Sequence, residues 1–502
     1  MTTVSRTQLL LVVAVCLALG GLAMARLEAA RAGLEIRPLP VPDGAPATLY
    51  RRADAGPAPV VVVAHGFAGS RQLMASFSLT LARAGYLVVA FDFLGHGSNP
   101  EPMRGDVTTV DGTTRLLMTE LARVAEAALA LPEADGRLAY LGHSMASDVV
   151  VRQAQESPPA DATIAVSMFS EAVTATEPPN LLVLVGALEG RLREEALKAL
   201  HLAAPDANEG ETVGDPTAGT GRRVVFAPGV EHVGVLYSET SLREARAWLD
   251  ASFGRSSTGP VPERGGWIAL LLAAILVLAW PLARLLPPGG PGAPRLLRGR
   301  FLVAALAPAV LVPLLLAPLD VHLLPVLVAD YLGVHFALYG AGTLLLLRRW
   351  GVLSGQLRPR AIAVGLAVAF FGIAVFGGAL DRYVASFFPN PERLLVITVL
   401  AVGAVPYLLA DALLTEGGRA GLGRVLLVRG AFLGSLMIAV ALDFERLMFL
   451  VIILPVIVLF YLIFGTLAGW VGRHTGLPAA GGLGIGLVLA WALGCTFPLF
   501  AP

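Results

Sequence analysis

The sequence predicts a two-part protein, in which a doubly wound, mostly parallel α/β sheet is followed by an all-α transmembrane helical bundle. Between about residues 26 and 264, β-prone apolar runs alternate with charged helical stretches, and glycine-rich turns separate them. From Trp267 onward, apolar segments of membrane length follow one another almost without interruption. The 502 residues are 56% hydrophobic and 15% charged, which is too apolar for a soluble enzyme of this size.

The amino-acid composition also argues against several classes of function. The formal net charge is +0, and no Lys/Arg run is interleaved with aromatic residues, so no nucleic-acid partner is expected. The two cysteines, Cys16 and Cys495, both lie in apolar segments, which suits neither a disulfide framework nor a metal site. The sequence shows no metal-ligand spacing and no phosphate-binding glycine loop, so we expect no metal and no cofactor.

The first apolar segment, from Leu9 to Ala25, follows a short basic leader with Arg6. We expect residues 1–26 to be a retained signal anchor that sends the following domain across the membrane. A cleaved signal peptide is the alternative, because Ala23-Met24-Ala25 resembles a signal-peptidase site.

The α/β domain is predicted over residues 27–253. Its predicted strands cover two short stretches within 34–52 around a turn at Pro42-Asp43-Gly44, then 59–64, 86–93, 138–141, 163–169, 181–185 and 223–227. The predicted helices cover 74–84, 113–130, 193–203 and 241–253. The polar stretch 205–221, rich in glycine and acidic residues, is predicted to be a mobile surface loop. This alternation of strands and helices favours a parallel sheet with helices on both faces.

The stretch Gly142-His143-Ser144-Met145-Ala146 lies where a β-prone run changes into a helical one. A serine between small residues at such a junction is typical of a nucleophile elbow, since larger neighbours two positions away would collide in so tight a turn. The turn presents the serine hydroxyl and aims the next backbone N–H, that of Met145, at a developing oxyanion. An ordinary strand-to-helix turn is the alternative.

Several short stretches, and their order along the chain, resemble the motifs of one family. They are His65-Gly66 after a buried strand, Asp92-Phe-Leu-Gly95-His96-Gly97-Ser98, the elbow at Ser144, and Val230-Glu231-His232. Over about residues 35–253 the chain resembles the α/β-hydrolase superfamily, in particular its lipase/esterase and serine-aminopeptidase-like serine hydrolases. The resemblance implies an α/β-hydrolase sheet and a catalytic order of Ser, Asp or Glu, and His along the chain.

The resemblance assigns the general base to His232, in the loop after the last strand, rather than to His201, which lies in an amphipathic helical stretch. Gly186-Ala187-Leu188-Glu189 matches the family pattern that carries the acid, so Glu189 is expected to orient the base. Glu171 and Glu231 are the competing carboxylates. The oxyanion donors are expected to be the backbone N–H groups of Phe67 and Met145.

Three polar side chains near these motifs, His65, Asp92 and His96, are expected to shape turns. Only residues 171–180 separate two consecutive predicted strands, where relatives with large lids insert tens of residues. We therefore expect an open cleft without a cap.

A Ser/Thr/Gly/Pro-rich linker is predicted at 254–266, and a transmembrane domain of about eight helices at 267–502. The predicted spans are 267–285, 301–318, 323–347, 361–380, 394–414, 425–442, 447–470 and 480–499. Arginines concentrate in the loops 284–300, 348–360 and 417–429, whereas 320–322, 381–393 and 443–446 are balanced by acidic residues. The Arg-rich set should be cytoplasmic. The N-terminus is then cytoplasmic, and the α/β domain lies in the periplasm, outside an inner (plasma) membrane.

Polar residues at membrane depth are candidates for function, and we single out Asp330, His335 and Asp411. Tyr331, His335 and Tyr339 share a helix face, whereas Asp330 points elsewhere. Inter-helix hydrogen bonding is the simpler explanation of these residues.

Together these features predict a membrane-embedded serine hydrolase with an extracytoplasmic Ser144-Glu189-His232 site, which cleaves carboxylic esters through an acyl-enzyme. The expected partners are a small-molecule or lipid ester substrate and membrane lipids. A peptidase or an acyltransferase would use the same residues. A transporter or lipid-handling protein with an accessory hydrolase domain is the alternative from another class.

Overall fold

The computed structural model describes residues 5–107, 109–321, 323–326 and 329–501. His322, in the predicted loop 320–322, and Leu327 and Val328, in the predicted span 323–347, lie outside the described residues. The chain forms two compact units. The globular unit comprises Leu22–Leu270, Leu380–Ser386 and Pro498–Pro502, and the membrane unit comprises Met1–Gly21, Leu271–Ala379 and Phe387–Phe497.

The globular unit is built on a single nine-stranded sheet. Its strands are β1 (Leu34–Leu39), β2 (Ala47–Arg52), β3 (Ala58–Ala64), β4 (Leu87–Phe91), β5 (Ala134–His143), β6 (Ala162–Val166), β7 (Leu181–Gly186), β8 (Thr212–Val213) and β9 (Arg222–Ala227). Their spatial order is β1-β2-β4-β3-β5-β6-β7-β9-β8. The strands from β4 through β9 in this order pair in parallel, and β1, β2 and β8 pair antiparallel at the two edges. The predicted doubly wound, mostly parallel sheet is confirmed.

Helices cover both faces of this sheet. They are α2 (Ala75–Arg83), α3 (Arg115–Leu129), α4 (Met145–Gln153), α5 (Gly190–His201) and α6 (Glu239–Ser252), after α1 (Arg6–Ala29), which precedes the sheet. Short helical turns occur at Pro42–Gly44, Val110–Thr114, Pro216–Ala218 and Gly234–Tyr237. The stretch 205–221 differs from the predicted mobile loop, because Thr212 and Val213 pair with Arg223 and Arg222 and extend the sheet by one short strand.

The core of the unit lies on the two faces of the central strands. Every residue of β3 is buried, as its unbroken apolar sequence predicts for a strand covered on both sides. Val61 and Val63 contact the cluster beneath α2 and α6, and Val60 and Val62 contact the cluster beneath α3 and α4. This rigid centre holds the carboxyl ends of the strands, where the loops that carry the candidate site begin.

Two segments that are distant in sequence belong to the globular unit. Arg382 forms an ion pair with Glu28, and the backbone N–H of Ser386 donates to the Ser70 hydroxyl at 3.0 Å. The second segment, residues 498–501, runs alongside Gly95 and Met103. Leu499 N–H donates to Gly95 O at 2.9 Å, and Met103 N–H donates to Leu499 O at 2.9 Å.

Among the described residues, nine helices are long and apolar enough to cross a membrane. They are α1, followed by α7 (Arg264–Ala283), α8 (Arg298–Leu316), α9 (Ala329–Arg349), α10 (Pro359–Tyr383), α11 (Pro391–Leu414), α12 (Leu422–Leu442), α13 (Leu450–Thr475) and α14 (Pro478–Thr496). Short helical turns at Glu416–Gly418 and Phe444–Leu447 lie between them. Nine long apolar helices indicate a membrane protein, and the predicted all-α bundle is confirmed.

Small residues bring the membrane helices close together. A Cβ added to Gly482 of α14 would lie 2.6 Å from Leu408 O of α11, and one added to Gly486 would lie 2.7 Å from the Val405 Cα. Glycine at these positions lets two backbones touch, which is the usual basis of helix association in lipid.

Candidate active site

Ser144 occupies a sharp turn between β5, which ends at His143, and α4, which begins at Met145. Its backbone has φ 53° and ψ −118°, a strained conformation for a residue with a side chain. The turn requires glycine at position 142, because a Cβ there would lie 2.4 Å from the carbonyl oxygen of Ala146. This geometry is that of the predicted elbow.

The structure brings Ser144, His232 and Glu189 into one hydrogen-bonded row. His232 Nε2 lies 2.8 Å from Ser144 Oγ, and His232 Nδ1 lies 2.6 Å from Glu189 Oε1. Each of the three side chains comes from a different strand-end loop, after β5, β7 and β9 respectively. In such a row the imidazole can accept the hydroxyl proton while the carboxylate holds the ring in the required tautomer.

Glu189 is held in an environment that favours its ionised form. Its other oxygen, Oε2, accepts hydrogen bonds from Gly186 N–H at 2.7 Å and from the Ser167 hydroxyl at 2.8 Å. Burial raises the pKa of this carboxyl, but the hydrogen bonds from His232, Ser167 and Gly186 outweigh burial and hold the pKa below its usual range. The side chain of Glu189 is therefore ionised at neutral pH.

His143, directly before the serine, is a residue that the sequence analysis did not assign. Its Nε2 lies 2.9 Å from the backbone carbonyl oxygen of His232 and donates to it. Burial and the neighbouring His232 lower the pKa of His143 to about 3, so the ring is neutral at pH 7. His143 thus fixes the loop that carries His232. Ser167 was likewise missed, since only the fold brings it beside Glu189.

The loop after β3 passes close to the serine. A Cβ added to Gly66 would lie 2.9 Å from the Ser144 Cβ, so the backbone of this loop approaches the turn as closely as glycine permits. His65 holds the loop, because its Nδ1 lies 2.8 Å from Gly66 O and its Nε2 accepts the N–H of Phe93. Phe67 and Met145, whose N–H groups are the predicted oxyanion donors, are half-buried and directly follow Gly66 and Ser144 in the sequence.

Asp92 and His96 take part in turn structure, as expected. The fully buried carboxylate of Asp92 pairs with Arg71 and accepts the Ser98 N–H at 2.9 Å. His96 Nδ1 lies 2.8 Å from Leu94 O. These contacts fold residues 92–98 into a compact turn beside the loop after β3.

The competing residues lie elsewhere. Glu231 turns back to accept the N–H groups of Val233 and Gly234 at 2.9 and 2.8 Å. Glu171 is exposed, and His201 is exposed at the end of α5, with Nε2 3.1 Å from Ala207 O.

The surroundings of the row are open and partly apolar. The His232 side chain is 42% exposed, whereas that of Glu189 is 6% exposed. Phe169, Leu188 and Val233, which follow β6, β7 and β9, are 56%, 68% and 46% exposed. Residues 167–180 connect β6 to β7 without a helix or strand of their own, so this connection inserts no cap domain.

The intramembrane candidates belong to the membrane unit, whereas Ser144 belongs to the globular unit. Asp330 Oδ1 accepts the N–H of Tyr331 at 2.8 Å, and His335 Nε2 lies 3.0 Å from the Ser435 hydroxyl of α12. Asp411 forms an ion pair with Arg429. Arg429 was assigned to a loop by the sequence analysis, but it lies within α12, two turns from its start.

Comparison with known proteins agrees with this architecture. Residues 55–210 match the family model described as serine aminopeptidase, S33. Together with the sheet order and the elbow, this match decides the fold. The globular unit has the α/β-hydrolase fold. No curated protein matches the chain.

Solved structures similar to the chain include three hydrolases. They are a lipase in an open form (13% identity, TM-score 0.34, covering 44% of this chain and 100% of that one), a dienelactone hydrolase from Anabaena variabilis (19%, 0.31, 43% and 96%) and an esterase from Pyrobaculum calidifontis (16%, 0.33, 50% and 99%).

Proposed function

We propose that this protein is a membrane-embedded serine hydrolase that cleaves carboxylic esters through an acyl-enzyme. The observation that carries the proposal is the row of side chains at Ser144, in which His232 Nε2 lies 2.8 Å from the hydroxyl oxygen and His232 Nδ1 lies 2.6 Å from Glu189. The spacing matches what a general base and its orienting carboxylate require.

In the first half of the proposed reaction, Ser144 Oγ attacks the ester carbonyl carbon and its proton passes to His232 Nε2. The oxyanion forms beside the N–H groups of Phe67 and Met145, and one such donor typically contributes about 3 kcal/mol of transition-state stabilisation. When the carbon–oxygen bond of the ester breaks, the leaving alkoxide takes the proton from His232. The acyl group stays on Ser144.

In the second half, His232 removes a proton from water, whose oxygen attacks the acyl carbon. The bond to Ser144 Oγ breaks and the hydroxyl recovers its proton from His232, which releases a carboxylic acid. Glu189, held ionised by Ser167 and Gly186, stabilises the imidazolium that forms in each half.

The apolar surroundings support an amphiphilic substrate. Leu188 and Val233 are exposed at the ends of β7 and β9, which carry Glu189 and His232, and Phe169 is exposed after the neighbouring strand β6. Exposed apolar side chains around a cleft commonly mark the surface that binds an apolar ligand. We propose acyl esters of lipids or other amphiphiles as the substrate class, and an extracytoplasmic location of the domain on the grounds of the arginine distribution.

The direct test is labelling of the full-length protein with a fluorophosphonate probe. The wild type is expected to be labelled, and Ser144→Ala is expected to lose the label while remaining folded. Ser147→Ala is the matched control, since Ser147 Oγ bonds to the Ser144 carbonyl at 2.5 Å rather than to His232. A folded wild type that takes no label would refute the proposal.

A peptidase is the second candidate, favoured by the description of the family model that matches residues 55–210. Hydrolysis of p-nitrophenyl butyrate should exceed that of aminoacyl p-nitroanilides if the ester proposal holds. The reverse preference would assign a peptidase, with the same nucleophile.

A further inference from the structure

A pocket of about 290 Å³ with charged side chains in its lining lies within the membrane unit, where the end of α11, the start of α12 and the end of α13 meet. Its lining includes Asp411, Thr415, Arg429, Gly465, Gly469 and Arg473. No step of the proposed ester hydrolysis involves these residues. A charged pocket at the end of a membrane bundle is a candidate site for a polar ligand.

The first charged group of the pocket is an ion pair. Arg429 Nε and Nη2 each lie 3.3 Å from one oxygen of Asp411, whose side chain is only 2% exposed. The third nitrogen of this guanidinium, Nη1, makes no hydrogen bond to any residue that the structure describes. It can therefore donate to a ligand without breaking the pair with Asp411.

Glycines on α13 create the space for the arginines. A Cβ added to Gly465 would lie 2.8 Å from both Nη1 and Nη2 of Arg429, and one added to Gly469 would lie 3.2 Å from Arg473 Nη1. Positions 465, 469 and 473 recur every fourth residue and so share one helix face. The two glycines thus leave room on this face for both guanidinium groups, and both arginines line the same pocket.

The pocket carries an uncompensated positive charge. Arg473 Nη1 donates to Gly418 O at 2.8 Å, but Arg473 pairs with no carboxylate in the described part of the chain. Among the described residues that line the pocket, Asp411 is the one acidic residue, and it already faces Arg429. Arginine guanidinium groups that line one pocket are suited to bind phosphate oxygens, because their N–H groups match those oxygens in geometry and charge.

The remaining wall is apolar. Leu422, Val425 and Ile485 also line the pocket, and Leu422 is 73% exposed on the surface of the membrane unit. A ligand that places an anionic group between the arginines would meet hydrocarbon side chains on its other side. This combination fits an amphiphile with a phosphate head better than it fits a fully hydrated ion.

We propose that this pocket binds the phosphate group of an anionic phospholipid, held by Arg429 Nη1 and by Arg473. The described lining of the pocket includes none of the residues of the proposed Ser144 site, so this proposal would stand if the ester hydrolase proposal failed. A soluble phosphate could offer the same oxygens, so the test includes it as a separate ligand.

The test is native mass spectrometry of the purified full chain in neutral detergent, titrated with phosphatidylglycerol, phosphatidylcholine or inorganic phosphate. Arg473→Gln removes one cation. Val425→Phe fills the pocket and leaves every charge in place, so it carries the test if Arg473→Gln does not fold. Arg348→Gln is the matched control, because Arg348 is an exposed arginine of α9 outside the pocket.

We expect wild type and Arg348→Gln to bind phosphatidylglycerol about tenfold more tightly than phosphatidylcholine, and both pocket variants to lose this preference. Competition by inorganic phosphate would identify a soluble phosphate as an alternative source of the group, and lack of competition would identify the lipid. Retained preference in both folded pocket variants, or a wild type that binds neither phosphatidylglycerol nor inorganic phosphate, would overturn the proposal.

Discussion

The carboxylate at position 189 illustrates how single residues shape the candidate site. Three hydrogen bonds, from His232, Ser167 and Gly186, converge on a side chain that is almost completely buried. The competing carboxylate, that of Glu231, instead accepts hydrogen bonds from two backbone N–H groups of its own loop. The same substitution at Glu189 and at Glu231 therefore removes the same kind of group from two different environments.

Glu189→Gln is expected to lower kcat by about 10³- to 10⁴-fold, because the amide would hold His232 in the tautomer that cannot accept the Ser144 proton. Glu231→Gln should lower kcat by less than about tenfold, since only local hydrogen bonds change. The measurement is kcat and KM with p-nitrophenyl butyrate for full-length protein in detergent. Comparable losses in the two variants would show that Glu189 has no special role.

At the scale of elements, the turn 92–99 is fixed from two directions. Glu120 of α3 accepts the N–H of Leu94 at 2.8 Å and the Asn99 amide at 2.9 Å. On the other side, residues 499–501 add backbone hydrogen bonds to Gly95 and Met103. This turn also contacts the loop after β3, since the ring centroids of His96 and Phe67 lie 6.0 Å apart.

Gly95→Ala is expected to displace residues 499–501, because a Cβ at position 95 would lie 2.3 Å from Leu499 O. Gly136→Ala is the control. It has a similar positive φ of 91°, so both variants share the backbone cost of about 1–2 kcal/mol, but open space surrounds position 136. Hydrogen–deuterium exchange should accelerate in peptides 95–103 and 498–501 only in Gly95→Ala. Unchanged exchange there would disprove the importance of this contact.

Glu120 makes the stability of the same turn dependent on pH. Burial raises its pKa to about 7, despite the hydrogen bonds from Leu94 and Asn99 that lower it. A carboxyl with a raised folded pKa retains its proton in the folded state, so its ionisation destabilises the fold as pH rises from about 4.5 towards 7 and above.

Melting of the full-length protein should therefore occur at lower temperature at pH 8 than at pH 5, and Glu120→Gln should reduce this difference. The free energy involved is at most on the order of 3 kcal/mol, since one pKa unit corresponds to about 1.4 kcal/mol. Glu101→Gln, at an exposed position two residues after the turn, is the control and should retain the wild-type dependence. An identical pH dependence in Glu120→Gln would contradict this explanation.

For the whole molecule, the central feature is that one chain contains both a domain of the α/β-hydrolase fold and, among its described residues, nine long apolar helices. Among the described intramembrane residues, the polar groups singled out from the sequence make hydrogen bonds or ion pairs within the bundle: His335 with Ser435, and Asp411 with Arg429. These contacts agree with the simpler explanation of those residues, and a transporter function gains no support from them.

The arginine distribution predicts the orientation of the protein across the membrane, and cysteine labelling tests this prediction. With Cys16 and Cys495 replaced by alanine, Thr217→Cys in the globular unit should react with a membrane-impermeant maleimide in intact cells. Leu357→Cys, 50% exposed in the Arg-rich connection before α10, should react only after lysis. The opposite pattern would place the α/β domain in the cytoplasm.

The sequence by itself determined the local features: the order of the strands and helices except the short strand β8, the small residues around Ser144, and the apolar membrane segments. It also singled out Ser144, Glu189 and His232, because each lies in a short motif after a strand. Only the tertiary structure revealed the contacts of Ser167 with Glu189, His143 with the His232 carbonyl, Arg429 with Asp411, and residues 499–501 with Gly95. Propensity and hydrophobic periodicity reflect neighbours along the chain, whereas these contacts join residues 18 to several hundred positions apart, which meet only when the elements pack.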